Sequence, residues 1–473
     1  MEKGIRVIYV DLDQTLARVD LLEERLLIGS LRAGHLPLKT ISWFLQGGWA
    51  RVKEEMAERH AINPAHLPYN AGLLEFLRKE KQRGVRLVLA TGAPRVWAES
   101  IAKHLGIFDQ VLATDRESGN LKGHRKLESI LKDADGAPFG YVGDARCDRP
   151  ILEAAELPIV IGVSKKLAGK KAGQAVLIKW DGTASDKWWM SLRLHQWSKN
   201  VLVFAPVLAA HRFDGAWEAA ILAFLAFSCT ASALYILNDL YDVDLDRQHL
   251  EKRRRAVATG TLRPGLALVL IGLLGATAVA LTLLLPIKFA AVLLCYAVIN
   301  VCYSQQIKNI PALDVVALAF LYSIRVFAGG TACEIYVSTW LAALTFFTAL
   351  SLVHLKRYLE LVQRTSQGLS SAARPAYAVE DAPLIALIGV GAGLISVLIT
   401  VLYITSPLVY PGYRMPRLLF VICMLQFYWI ERMWLLAFRG QMTSDPIGFM
   451  IRDKVSYGIA LVALVIAWVA ANF

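Results

Sequence analysis

The sequence predicts two architectures in one chain: a Rossmann-like α/β domain on a parallel sheet over residues 1–165, and an all-α bundle of nine membrane-spanning helices over 190–473. Three observations carry this expectation. Short apolar runs alternate with helical stretches in the first part. Long apolar stretches nearly free of charge fill the second, and basic residues gather in the loops on one side of them. Of the 473 residues, 56% are hydrophobic and 19% charged, with a formal net charge of +12. Because that charge lies between apolar helices, it points to membrane lipid and phosphorylated substrates as partners and away from nucleic acid.

In the first part, strands are expected at Arg6 to Val10, Val85 to Ala90, Gln110 to Ala113, Phe139 to Val142 and Pro158 to Ile161. Helices such as Ala71 to Lys81 and Val96 to Leu105 lie between them. A Leu- and Arg-rich helical insertion over about 17–67 is placed as a cap over an active site. Residues 166–189 are Lys- and Gly-rich and end in Trp188-Trp189, as expected of a linker reaching the headgroup layer, where Trp is favoured. Nothing at the amino terminus has the pattern of a signal peptide. The six cysteines form no CxxC or Cys/His cluster and read as small hydrophobes.

In the second part, spans are expected at 198–211, 216–237, 265–286, 288–304, 312–331, 337–354, 383–405, 417–438 and 455–472. The loop after the second span carries Arg247, Lys252, Arg253, Arg254, Arg255 and Arg263, and Lys308, Lys356, Arg357, Arg432 and Arg439 fall on the same side. The opposite loops hold only Arg212, Lys288, Arg414 and Arg417. The positive-inside rule then puts the acidic and basic clusters and the amino-terminal domain in the cytosol of an inner-membrane protein.

Two constellations carry chemistry. Asp11-Leu12-Asp13-Gln14-Thr15 follows the first strand directly, at the carboxyl end of a parallel sheet, where such folds bind ligands. There an Asp can attack phosphorus while a second Asp protonates the leaving alcohol. Thr91-Gly92, Lys126 and Gly143-Asp144 through Asp148 follow in order. These four elements resemble the haloacid dehalogenase-type (HAD) phosphatases. The resemblance implies Asp11 as nucleophile, Asp13 as general acid and base, Thr91 and Lys126 on phosphate, and Mg²⁺ held by Asp11, Asp13, Asp144 and Asp148. Gln14 stands where that family usually has Gly, so the turn there departs from the pattern.

The second constellation is Asn238-Asp239-Leu240-Tyr241-Asp242-Val243-Asp244-Leu245-Asp246-Arg247, at the end of an apolar helix. Asp239, Asp242 and Asp246 recur at helical spacing, so they share one face and suit Mg²⁺ with substrate phosphates. Carboxylates set against a bilayer are costly and so mark function. The run resembles the UbiA superfamily of intramembrane transferases, whose members carry a second Asp-rich motif after the sixth span. Here Lys356-Arg357-Tyr358 stands instead, and cations there bind phosphate without a second metal.

That departure, with Arg193 through Asn200 and the basic run Lys252 to Arg255, resembles one subgroup, the decaprenyl-phosphate phosphoribosyltransferases. The resemblance implies Mg²⁺ on Asp239, Asp242 and Asp246, with Asp239 and Asp242 catalytic. It places Lys199, Asn238, Arg253, Arg255, Tyr303, Lys308, Lys356 and Arg357 around phosphoribosyl diphosphate and polyprenyl phosphate. Arg325 is expected either in an ion pair, with Asp314 or a neighbouring helix, or on substrate. The expected function is a bifunctional enzyme: the membrane part transfers 5-phosphoribose to polyprenyl phosphate and the HAD part removes the 5-phosphate. The alternative is a prenyltransferase using a prenyl diphosphate and another acceptor, with a HAD domain of separate or regulatory role.

Overall fold

A computed structural model describes residues 4–32, 36–115, 119–162, 164–180, 188–212, 215–249, 251–366, 377–406, 413–442 and 445–472. Its contacts divide the chain into two compact units: residues 1–193 with 235–272, and residues 194–234 with 273–473. The segment bearing Asn238 to Arg247 therefore belongs with the α/β domain, although the helix that leads into it begins in the other unit.

Six parallel strands form the sheet: β1 (Val7–Val10), β2 (Arg86–Pro94), β3 (Gln110–Thr114), β4 (Phe139–Gly143), β5 (Leu157–Ile161) and β6 (Val176–Ile178), in the order β3-β2-β1-β4-β5-β6. The chain direction across the sheet reverses between β1 and β4, the position where such sheets open a crevice for ligands. Strand β1 is buried along its whole length, as a central parallel strand must be. Its side chains alternate between two cores. Ile8 and Val10 join Leu12, Leu16 and Trp97, whereas Val7 and Tyr9 join Val88, Tyr141 and Ile151. The five expected strands are present. The sixth, β6, lies in the stretch expected as linker, after a 3-10 helix over Lys165–Lys171; three half-buried residues among lysines and glycines give too short a pattern to read. Residues 181–187 of that stretch lie outside the described residues.

Between β1 and α3 (Ala71–Gln82) the chain forms α1 (Leu21–Arg32), α2 (Leu36–Arg59) and a 3-10 turn over Pro64–His66. Gly29 lets α2 approach α1, since a Cβ there would lie 2.5 Å from Leu36 Cδ2. Trp43, Val52 and Met56 of α2 enter the domain core. Gly48, at φ 63°, breaks α2 in the middle, a conformation that suits glycine. The remaining helices around the sheet are α4 (Arg95–Leu105), α5 (His124–Ala134) and α6 (Arg149–Ala154).

Among the described residues, eight helices are long and apolar enough to cross a membrane. They are α8 (Ala216–Tyr241), α10 (Pro264–Thr282), α11 (Ile287–Gln305), α12 (Leu313–Ala332), α13 (Thr339–Ser366), α14 (Ala382–Thr405), α15 (Leu419–Phe438) and α17 (Lys454–Asn472); α9 (Val243–Gln248) and α16 (Pro446–Met450) are short. The protein is therefore an integral membrane protein. The stretch expected as the first span is a 3-10 helix over Leu194–Phe204 running into α7 (Ala205–Ala209). It packs tightly on α12, where a Cβ at Gly329 would fall 1.8 Å from the Val203 carbonyl oxygen. Small residues at such a crossing are how membrane helices gain contact without a hydrophobic driving force between them.

Candidate active sites

The loop after β1 and the loop after β4 meet at the reversal point of the sheet. Asp11, Asp144 and Asp148 each present an oxygen there, all within 4.8 Å of one another. Lys126, on the first turn of α5, is 3% exposed and lies 3.0 Å from Asp11 Oδ1 and 3.3 Å from Asp148 Oδ1. Three carboxylates and one lysine leave two negative charges in a buried site. Asp148 Oδ2 is buried without a hydrogen-bond partner. An orphaned buried oxygen is costly, and two excess charges match one divalent cation, so the residues fit Mg²⁺.

Electrostatics agree with that fit. Burial pushes the Asp11 carboxyl well above its ordinary value, against the pull of Lys126 and with Asp148, Asp13 and Asp144 adding to the rise. Asp144, which accepts a 2.8 Å hydrogen bond from Thr15 Oγ1, is pushed up to about 6, again mainly by burial. Asp13 stands apart from the three clustered ligands. Its Oδ1 accepts from the Leu21 amide at 3.0 Å, and burial followed by the Asp20 charge pushes it up to about 7. A carboxyl held near neutrality suits a general acid better than a metal ligand.

Gln14 adopts φ 56°, the left-handed region in which a glycine is at ease. Gln14 thus holds a conformation that costs it about 1–2 kcal/mol and would cost a glycine nothing. Thr91 sits where the pairing of β2 with β3 shifts register between Ala90 and Pro94, fully buried, its Oγ1 accepting from Ala93 N at 3.0 Å. Sequence reasoning missed Lys53. It reaches from α2 to the Gly92 carbonyl and, at 2.7 Å, to Asn120 Oδ1. A single Lys within a charged helix gives no sequence signal of this reach.

In the Asp-rich segment, Asp239 is 2% exposed near the end of α8, and Asp246 is 2% exposed on α9. One Arg255 nitrogen lies 3.1 Å from Asp239 Oδ1 and 2.7 Å from Asp246 Oδ2. Arg193 adds a 2.5 Å contact to Asp239 Oδ1 while its guanidinium lies over the Tyr235 ring. Burial pushes Asp246 up to about 6, with Arg255 pulling the other way. The two carboxylates are thus neutralised by Arg193 and Arg255, cations that Mg²⁺ would have to displace, and among the described residues Asp239, Asp242 and Asp246 do not close into the metal-holding cluster that the sequence predicts. Asp242 caps α9, half-buried; Asn238 is half-buried on α8, and Arg253 is exposed in the 3-10 turn Lys252–Arg254. The sequence offers Arg193 only as the first residue of the stretch through Asn200; the structure places it as the second cation on Asp239.

The remaining expected residues lie in the second unit. Arg357, 3% exposed, donates from Nε to Asp314 at 2.9 Å, from Nη1 to Glu360 at 2.6 Å and from Nη2 to the Tyr303 hydroxyl at 3.1 Å. Tyr377 donates to the other Asp314 oxygen at 2.5 Å. Arg357 and Tyr303 are therefore brought together, with Arg357 held as the hub of a buried network. Lys199 lies 6.0 Å from the centre of the Tyr322 ring, Lys308 sits in the 3-10 turn Ile307–Asn309, and Lys356 is half-buried on α13. The pair of Arg325 with Asp314 does not form. Eleven residues on one helix are about 16 Å apart at ~1.5 Å per residue, and Asp314 is bonded elsewhere. Arg325 instead donates to Asn200 Oδ1 at 2.9 Å and is enclosed by Phe227, Tyr296 and Tyr322.

Residues 201–452 match the UbiA prenyltransferase family, and residues 22–153 match the haloacid dehalogenase-like hydrolases. The chain is 33% identical over 462 residues to a Sinorhizobium fredii protein called Uncharacterized protein y4nM, covering 96% of this chain and 89% of that one. It is 34% identical over 272 residues to Nodulation protein NoeC of Azorhizobium caulinodans, covering 56% of this chain and 86% of that one. To the decaprenyl-phosphate phosphoribosyltransferase of Mycobacterium tuberculosis it is 35% identical over 187 residues, covering 38% of this chain and 62% of that one. The chain belongs to the UbiA prenyltransferase family and carries a haloacid dehalogenase-like hydrolase domain before its membrane domain.

Proposed function

We propose that the protein is a bifunctional membrane enzyme that moves 5-phosphoribose from phosphoribosyl diphosphate onto a polyprenyl phosphate and then removes the 5-phosphate. The observation that carries the proposal is the presence of two buried carboxylate clusters, Asp11/Asp144/Asp148 and Asp239/Asp246, in one compact unit. Lys356, which stands with Arg357 where the family's second Asp-rich motif would be, favours a phosphate-rich substrate set over a prenyl diphosphate with another acceptor, while Arg357 itself is held by Asp314, Glu360 and Tyr303. Both sites are assigned to the cytosolic face, with the sheet domain through β6 as the phosphatase, the insertion over about 17–67 as its cap, the linker shortened to the residues after Ile178 as far as 189, and 190–473 as the transferase. The 3-10 and α7 segment serves as the first of nine spans, since eleven residues at ~2.0 Å and five at ~1.5 Å reach about 30 Å.

In the transfer, an oxygen of the lipid phosphate bonds to the anomeric carbon of the ribose. The carbon–oxygen bond to diphosphate breaks, and the electron pair leaves on diphosphate. Arg193, Arg253 and Arg255 supply positive charge for that leaving group, and Asn238 supplies an amide to it. In the other unit, Lys199, Lys308 and Lys356 are assigned to phosphate, and Arg357 holds the Tyr303 hydroxyl.

In the hydrolysis, an Asp11 oxygen bonds to phosphorus as the bond to ribose O5 breaks, and O5 takes the Asp13 proton. Water then returns a proton to Asp13 and attacks phosphorus, freeing phosphate and Asp11. Thr91, Lys126 and Lys53 neutralise the phosphoryl oxygens. Asp11, Asp144 and Asp148 in the one site, and Asp239, Asp242 and Asp246 in the other, would hold Mg²⁺, which would supply positive charge against the negative charge developing in each reaction. The test is to incubate detergent-purified protein with Mg²⁺, polyprenyl phosphate and labelled phosphoribosyl diphosphate. Wild type should label the lipid and Asp239→Asn should not. No labelled lipid from folded wild type would redirect the reading to a prenyl diphosphate donor.

A further inference from the structure

The first half of α2 carries an apolar face that none of the described residues covers. Leu36 and Trp43 point into the domain core, yet Leu38 is 73%, Ile41 59% and Leu45 79% exposed, with Phe44 and Trp49 about half exposed beside them. Leu38, Ile41 and Leu45 follow one another at three and four residues and so form one stripe, and Phe44 and Trp49 meet edge to face at 5.4 Å. Lys39 and Gln46 flank the stripe as exposed polar groups. A helix of a water-soluble domain that is apolar on both sides requires a second apolar medium.

What covers the stripe follows from where α1 anchors this hairpin. At its start, Glu23 accepts from the Gly265 amide at 3.1 Å, at the first turn of α10. At its end, the Leu31 carbonyl accepts from the Tyr241 hydroxyl at 2.6 Å, and Arg32 donates to the Tyr241 carbonyl, at the last turn of α8. Both α8 and α10 are membrane-crossing helices, and all these residues belong to one compact unit. Helix α1 thus reaches from the end of one span to the start of the next, and α2 begins four residues after Arg32. An exposed Leu, Ile, Phe and Trp face anchored to two span ends has the chemistry of a helix lying in the headgroup layer.

We propose that α2 from Leu36 to Gly47 is an interfacial helix whose Leu38, Ile41, Phe44 and Leu45 insert into the bilayer that α8 and α10 cross. The break at Gly47-Gly48 lets this half lie along the lipid surface while the second half of α2 turns into the domain and carries Lys53 to Gly92. Its consequence for the substrate rests on the function proposed above: the phosphatase meets a lipid-linked phosphate at the membrane surface.

The test uses the full chain in nanodiscs, with a fluorescent amino acid replacing Leu45 or, as control, Val96, which is 61% exposed on α4. Lipid bearing a nitroxide near the headgroup should quench position 45 by more than half and leave position 96 unchanged. No quenching at 45, equal quenching at both, or a blue-shifted but unquenched signal at 45, as a second copy or another protein would give, overturns the proposal. The readout requires no activity, so it stands or falls separately from the enzyme function. As a second measurement, Ile41→Glu/Leu45→Glu should hydrolyse a soluble phosphate ester within twofold of wild type and a lipid-linked one at least tenfold more slowly. Equal loss on both substrates would assign the stripe to folding and contradict the proposal.

Discussion

Arg247 closes a bidentate ion pair on Glu24, at 2.8 and 2.6 Å, with both side chains buried. Arg25 makes a second bidentate pair with Asp244, at 2.9 and 2.7 Å. Two consecutive residues of α1 thus grip the helix that presents Asp246. The helical insertion and the Asp-rich segment are joined by charge as well as by chain.

Removing one partner leaves the other as a buried unpaired charge, which costs about 3–5 kcal/mol. Glu24→Gln should therefore lower the melting temperature of the purified protein markedly, and Glu24→Met/Arg247→Met should recover most of the loss. Thermal unfolding in detergent checks this. A double variant no better than the single one would mean that packing rather than charge holds the joint.

The raised carboxyls give a pH dependence of stability. Asp13 near 7 and Asp144 near 6 compare with ~3.9 for an unfolded Asp. Between about pH 4 and 7 the folded state binds more protons, so stability falls as pH rises through that window. In a chelator, the melting temperature should drop from pH 5 to pH 8. Mg²⁺ should restore it more at pH 8 than at pH 5, because only the charged carboxylates bind the cation. A melting temperature insensitive to both would remove the metal site from the account.

Arg255 bridges Asp239 and Asp246, the carboxylates assigned to metal and diphosphate. Arg255→Met should lower the transfer rate at least tenfold, for want of a cation on the leaving group. It should also lower the Mg²⁺ concentration needed for half-maximal transfer, since a competing cation is gone. A titration of transfer against Mg²⁺ separates the two effects, and an unchanged rate would make Arg255 structural.

The α/β pattern and the Asp11 to Thr15 turn are legible because each depends on local spacing, strand then carboxylate; the Asp-rich run reads as one helical face, whereas Asp239 lies at the end of α8, Asp246 on α9 and Asp242 at the break between them. The unit boundary is not legible. Tyr235 to Gly272 groups with the sheet domain through pairs such as Glu24–Arg247, more than 200 residues apart, and a charged side chain does not reveal its distant partner. Arg193 and Lys53 give no local signal for the same reason, and Arg357, expected on a substrate phosphate, is instead bonded to Asp314, Glu360 and Tyr303. The segment 198–211 is apolar by sequence, but its 3-10 form and the close approach of its Val203 carbonyl to Gly329 are features that no local pattern encodes.

The most direct test is the phosphate content of the lipid product made by wild type and by Asp11→Asn under the same conditions. The account predicts ribosylated lipid without a 5-phosphate from wild type, and lipid retaining it from Asp11→Asn at an undiminished rate of transfer. Lipid that retains the 5-phosphate in both would contradict the two-step reaction and leave the sheet domain with another substrate.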